Sequence, residues 1–124
     1  MFPNAMDAIV VVTTVGTEQE ANLLAEELLD RRLAACVNIV SGVRSHYRWR
    51  GAVCKDSEYL LIIKTLASEY EEVASTIRLL HSYEQPEILS LEVSRGDAGF
   101  LSWIAECVDP EFDELETGDE GEVD

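Results

Sequence analysis

The stretch 34–65 constrains this chain most. It reads Ala-Ala-Cys-Val-Asn-Ile-Val-Ser-Gly-Val-Arg-Ser-His-Tyr-Arg-Trp-Arg-Gly-Ala-Val-Cys-Lys-Asp-Ser-Glu-Tyr-Leu-Leu-Ile-Ile-Lys-Thr. Two β-like runs flank a turn signal at Arg50-Gly51. Toward the end of the first run, Val43, Ser45, Tyr47 and Trp49 alternate with Arg44, His46, Arg48 and Arg50, which puts the two sets on opposite faces of a strand. The second run, from Glu58 to Thr65, is almost continuously apolar, as in a strand covered on both faces. Together they predict one long antiparallel hairpin. Typical strands have about 5–6 residues, so arms this long project beyond the domain that carries them. A projecting arm bearing Tyr47 and Trp49 needs a cover, and a second subunit is the expected one. Gly42, inside the first arm, predicts a bulge or a bend.

The elements on either side follow from local signals. The β-branched run from Ala8 to Thr14 predicts a buried central strand. Thr17-Glu-Gln-Glu20 is a capping box that opens a helix with its apolar face at Ala21, Leu24, Ala25 and Leu28, running to about Arg32. Ser68-Glu-Tyr-Glu71 is a second capping box. Its helix presents Tyr70, Val73, Ala74, Ile77, Leu80 and His81, and stops before Pro86. Glu87 to Val93 predicts a short strand, and Asp97 caps a last helix. This order, strand–helix–strand–strand–helix–strand with a short extra helix, predicts an α+β fold of the ferredoxin-like split βαβ type. Both crossovers are expected to be right-handed. The sheet then has helices on one face, and Val43, Tyr47, Trp49 and the Leu60–Ile63 run are too apolar to leave the other in water. An oligomer is the physical expectation.

With 124 residues the chain fits one domain. Its net charge of −16 is uneven. Residues 109–124 hold nine acidic residues and no basic one, and the remainder holds 16 acidic and nine basic, a net of −7. We expect a domain over 8–108, a flexible stretch over 1–7 and a disordered acidic tail over 109–124. An acidic body disfavours nucleic acid, which needs a basic footprint. No apolar run approaches the roughly 20 residues of a membrane span. The first residues have no basic region followed by an apolar one, so no signal peptide is expected. Three cysteines without a CxxC pair argue against a disulfide framework and fit the cytoplasm.

No catalytic motif stands out, and an enzyme is not expected. His81, in Leu-Leu-His-Ser-Tyr-Glu-Gln-Pro-Glu, reads either as a transition-metal ligand or as a helix C-terminal histidine packed beside Tyr83. Copper(II) leads the divalent affinity order for such a site. Cys36 reads as a small buried residue, and Cys54, near the turn, as the more exposed thiol. Lys64 ends an apolar strand and needs a carboxylate, with Glu58 and Glu87 as candidates for an ion pair at a subunit boundary.

Leu33-Ala-Ala-Cys-Val-Asn38, Tyr47-Arg-Trp-Arg-Gly51, Glu58, Lys64-Thr65, His81-Ser-Tyr-Glu-Gln-Pro-Glu87 and Phe100-Leu-Ser-Trp103-Ile, taken together and in order, resemble the CutA family of divalent-cation tolerance proteins. The resemblance covers roughly 8–108. It implies a tight homotrimer, with long hairpins around the three-fold axis and Tyr47, Trp49, Lys64 and Glu87 at subunit interfaces. It implies tolerance to divalent metal, copper(II) above all, with His81 as the matching ligand position. Where such members hold copper, a cysteine stands at about the position of Thr13, and His-His pairs occur where this chain has Leu80-His81. Ser82 stands where the family often has proline. The fold is also similar to that of the PII signalling proteins. The alternative function is therefore a trimeric signalling or scaffold module with a small ligand in its subunit clefts or a protein partner.

Overall fold

The computed structural model describes residues 6–108. The expectations for 109–124 and for most of 1–7 lie outside the described residues. The elements are β1 (Ala8–Val15), α1 (Glu18–Asp30), β2 (Cys36–Trp49), β3 (Ala52–Leu66), α2 (Tyr70–Leu80), β4 (Leu89–Glu92) and α3 (Ala98–Val108). The four strands form one sheet in the order β2-β3-β1-β4, with every neighbouring pair antiparallel. β3 lies between β1 and β2, and β1 lies between β3 and β4. The sheet is therefore a split βαβ, as the element order predicts.

The hairpin closes as its sequence dictates. Arg50 and Gly51 both have positive φ, 50° and 83°, and Trp49 faces Ala52 across the turn. Two left-handed residues in a two-residue loop are what the twist of paired strands requires. The bulge falls where Gly42 predicts it: Ser41 and Gly42 together oppose Tyr59, and Gly42 has φ 75°. The extra residue shifts the alternation of β2. Before it Cys36, Asn38 and Val40 share a face with Lys64, Ile62 and Leu60; after it Val43, Ser45 and Tyr47 continue that same face beside Glu58, Asp56 and Cys54. A strand without the bulge would turn Tyr47 and Trp49 to the opposite face.

One face of the sheet is covered. Ile9, Val11 and Val15 of β1 and Leu61 and Ile63 of β3 pack under Ala21, Leu24 and Leu28 of α1 and Val73 and Ile77 of α2. The Thr17 hydroxyl caps α1 by accepting from the Glu20 amide at 3.1 Å. The helix ends at Asp30, two residues before Arg32. Arg32 takes φ 58°, the Arg32 amide donates to the Leu29 carbonyl (3.0 Å), and the Leu33 amide donates to the Leu28 carbonyl (2.9 Å). This is a Schellman end, and the usual apolar contact across it is made by Leu28 and Leu33, both in the core.

The second capping box does not form. Ala67–Glu69 is a 3-10 turn, Glu69 caps α2 without a side-chain hydrogen bond, and the Ser68 hydroxyl donates to Glu69 instead. The tighter turn starts the helix one residue late, so Glu69 rather than Ser68 takes the cap position. Asp97 does cap α3, accepting from the Phe100 amide at 3.0 Å.

The other face is covered only at one end. There Ile104 and Val108 of α3, with Leu101 and Ala105 beside them, pack on Leu66 and Ala8. Beyond α3 that face carries Val10, Val12, Leu60 and Ile62, half-buried, with Val40 at 41%, Leu89 at 57% and Leu91 at 52% exposure. No helix of the described residues is long and apolar enough to cross a membrane.

The Thr13 hydroxyl is the one buried side-chain polar atom among the described residues without a hydrogen-bond partner. Thr13 is fully buried on the helix-covered face. A hydroxyl left unpaired in a core costs free energy that an isosteric methyl avoids. Thr13→Val is therefore expected to raise the unfolding free energy by about 1 kcal/mol, read as a higher urea midpoint at unchanged slope.

Candidate functional site

A cleft lies beside the hairpin, between β2, β3 and the segment after α2. Its volume is about 690 Å³. β2 supplies Tyr47 and Trp49, β3 supplies Asp56 and Glu58, and the segment after α2 supplies Tyr83 and Glu87. The register of the hairpin explains the first four. Tyr47 opposes Cys54, so its ring lies diagonal to Asp56 on the same face, and its hydroxyl donates to Asp56 Oδ2. Glu58, two residues further along β3, accepts from the Tyr83 hydroxyl at 2.7 Å.

Gly16 makes the second bond possible. A Cβ there would stand 3.2 Å from the Tyr83 hydroxyl oxygen, so a side chain at this position crowds the approach to Glu58. Glu58 is only 6% exposed. Among the described residues neither Asp56 nor Glu58 forms an ion pair. Arg50 reaches the neighbouring Glu84 instead, at 2.8 Å, in a pair exposed at the rim.

Both tyrosines hold their protons tightly. The hydrogen bond to Asp56 and that group's charge push Tyr47 up to about 12 from 10.0. Burial, then the bond to Glu58 and its charge, pushes Tyr83 up further still. The sign of the stability effect follows. Above about pH 10 the unfolded chain loses phenolic protons that the folded chain keeps, so unfolding becomes easier as pH rises through this range. A thermal midpoint that falls between about pH 9 and about pH 11 is expected, with a smaller fall in Tyr83→Phe.

His81 sits at the end of α2, behind this cleft. Its side chain is fully buried. The Tyr83 amide donates to Nδ1 at 3.1 Å, which makes Nδ1 an acceptor and leaves the proton on Nε2, 2.7 Å from the Thr14 carbonyl. The Tyr83 ring packs against the imidazole at 4.7 Å between centroids. Glu20 joins the same junction. Its carboxylate accepts from the Ser82 amide at 2.7 Å and the Ser82 hydroxyl at 3.1 Å. The acidic member of the first capping box thus ties the start of α1 to the end of α2. A proline in place of Ser82 has no amide hydrogen for this bond. In this arrangement neither ring nitrogen of His81 is open to a metal. Thr13, the position matched to a copper-binding cysteine, points into the core. No group of three or more His, Cys, Asp or Glu side chains able to hold a metal ion occurs among the described residues.

The remaining sequence candidates separate. Tyr47, Trp49 and Glu87 meet at the cleft. Lys64 does not. It lies six residues along β3 from Glu58, about 20 Å in an extended strand, and its ammonium stands 5.7 Å from the centre of the Phe100 ring. The expected ion pair with Glu58 or Glu87 is not made within the chain. Cys36, Cys54 and Cys107 are all partly exposed, so Cys36 is less buried than its apolar context implies. The two tyrosine–carboxylate pairs were not anticipated, although a two-residue turn at Arg50-Gly51 places Tyr47 next to Asp56 by counting alone.

Comparison with known proteins bears on the whole described domain. Residues 9–107 match the family model described as CutA1 divalent ion tolerance protein. The divalent-cation tolerance protein CutA of Thermus thermophilus is 42% identical over 97 residues, which are 78% of this chain and 94% of that protein. Protein CutA of Homo sapiens is 33% identical over 113 residues, 91% of this chain and 62% of that protein. Among solved structures, CutA from Xylella fastidiosa superposes with a TM-score of 0.81 at 33% identity, covering 83% of this chain and 99% of that one. CutA1 from Oryza sativa gives a TM-score of 0.80 at 37% identity, covering 82% and 94%. The motifs, the split βαβ sheet and these matches agree: the chain belongs to the CutA1 divalent ion tolerance family.

Proposed function

We propose that this chain works as a homotrimeric, non-enzymatic binding protein in divalent-cation tolerance, with its ligands held where subunits meet. The observation that carries this is the uncovered sheet face. Val40, Leu89 and Leu91 are each more than a third exposed, beside half-buried Val10, Val12, Leu60 and Ile62. A contiguous apolar surface of this kind marks a contact site, and the short edge strand β4 offers its open backbone groups to a neighbour. Tyr47 and Trp49 extend the same surface along the hairpin, and Lys64 at its other end finds its carboxylate on a second copy. The thiols of Cys36 and Cys54 fit a reducing compartment such as the cytoplasm.

The metal role belongs to this assembly rather than to one chain, because no three ligands gather among the described residues of one. His81 then acts as a tie between α2, Tyr83 and Thr14. Calorimetric titration of the reduced protein with copper(II), beside His81→Ala, tests this. Stoichiometric copper(II) binding that survives in a destabilised His81→Ala protein is the expected result. Loss of binding at unchanged stability would make His81 the ligand and overturn its structural assignment.

A further inference from the structure

The hairpin is a ribbon one sheet thick, and its two faces differ in charge. One bears Tyr47, Trp49 and Asp56, the surface proposed to meet a second copy. The register puts another set on the opposite face: Arg44 opposes Ser57, His46 opposes Lys55, and Arg48 opposes Val53. All six are exposed, Val53 at 68%. A ribbon that lays its aromatic face on a second copy turns this basic face outward. The face therefore meets solvent in a single chain and in such an assembly alike.

Three cations and an imidazole crowd this surface. Lys55 has His46 directly across and Arg44 and Arg48 on the diagonals, about 7–8 Å away. Like charges at such positions repel. Among the described residues Arg44, Arg48 and Lys55 form no ion pair. The acidic residues of the two strands, Asp56 and Glu58, lie on the other face. Arg44 and His46 also border the cleft, whereas Arg48 and Lys55 do not line it.

The chain itself holds the complementary anion. Residues 109–124 contain nine acidic residues and no basic one. Outside them the net charge is −7, which disfavours a separate polyanion such as nucleic acid. A tethered segment does not meet that barrier, because tethering gives it an effective concentration of about millimolar. Its length suffices. α3 ends at Val108, which packs with Leu66 at the base of β3. Lys55 lies eleven residues from Leu66 along that strand, about 36 Å. Sixteen extended residues span at most about 53–58 Å, so Asp119, Glu120, Glu122 and Asp124 come within reach.

We propose that the acidic segment 109–124 docks on the basic face of its own hairpin, with carboxylates against Lys55, Arg48 and Arg44.

The test is zero-length coupling of the full chain with a water-soluble carbodiimide, which joins an ammonium to a carboxylate in contact with it, followed by mass spectrometry of the digest. The chain has two lysines, Lys55 and Lys64, so the map is simple. An amide between Lys55 and a carboxylate of 109–124, within one chain, is the expected product. Its yield should fall about fivefold or more in about 0.5 M salt, and likewise in Arg48→Glu, where the exposed position keeps the fold intact. Lys64 is the internal control, because it lies two residues from Leu66, where a segment that stays near the end of α3 would react. Coupling of 109–124 to Lys64 alone overturns the proposal. So does a Lys55 product that joins only carboxylates within 1–108, or one that forms only between chains. Equal yield in wild type and Arg48→Glu also overturns it, since chance collision then accounts for the product.

Discussion

Leu91→Glu is expected to abolish assembly and leave the subunit folded. Leu91 stands on β4, faces Val10 across the pair, and is 52% exposed in the single chain. A glutamate there stays hydrated in the monomer, so the fold does not suffer. In an assembly that covers this face, the same carboxylate is buried without a partner, at a cost of several kcal/mol for each subunit. Every interface carries the change, so the effect multiplies with symmetry. Sedimentation of Leu91→Glu should show single chains with an unchanged far-ultraviolet circular dichroism spectrum. Leu79→Glu is the control. Leu79 is 71% exposed on α2, on the helical layer, and its substitution should leave the mass unchanged.

Leu28→Ala is expected to produce the largest loss of stability. Leu28 is fully buried in the core under α1. It also supplies the carbonyl that receives the Leu33 amide at the end of that helix. Truncation leaves a cavity beneath the helix and removes the apolar contact that accompanies the Schellman end. A loss of about 3 kcal/mol in unfolding free energy is expected. Urea unfolding should show it as a lower midpoint at constant slope. No change in midpoint would mean that the core closes around the gap.

Short-range patterns in the sequence carry much of this architecture. The hairpin was legible because its turn needs two left-handed residues and Arg50-Gly51 places a glycine at the second. The bulge was legible because Gly42 interrupts a β pattern. Its larger consequence, keeping Tyr47 and Trp49 on the face of Val40, needed the register of β3 as well. The Ser68 capping box failed because Ala67–Glu69 winds as a 3-10 turn, a choice no local motif announces. The His81 junction was out of reach for a different reason. It joins residues 67 and 62 positions apart in sequence, His81 with Thr14 and Ser82 with Glu20. Spacing along the chain cannot show that a histidine's two nitrogens are already taken. The cleft was half legible: Tyr47, Trp49 and Glu87 were singled out, Asp56 follows from the hairpin register, and Glu58 and Tyr83 pair only because Gly16 lets the Tyr83 hydroxyl reach Glu58.

The central claim is that the uncovered sheet face and the hairpin are subunit surfaces. Light scattering of the wild-type protein at micromolar concentration, after removal of metal by a chelator, tests it most directly. The account predicts three chain masses, independent of metal, because apolar sheet surface holds the subunits together. A single chain mass at that concentration would contradict it, and would leave Leu89, Leu91, Val40 and the hairpin aromatics facing water.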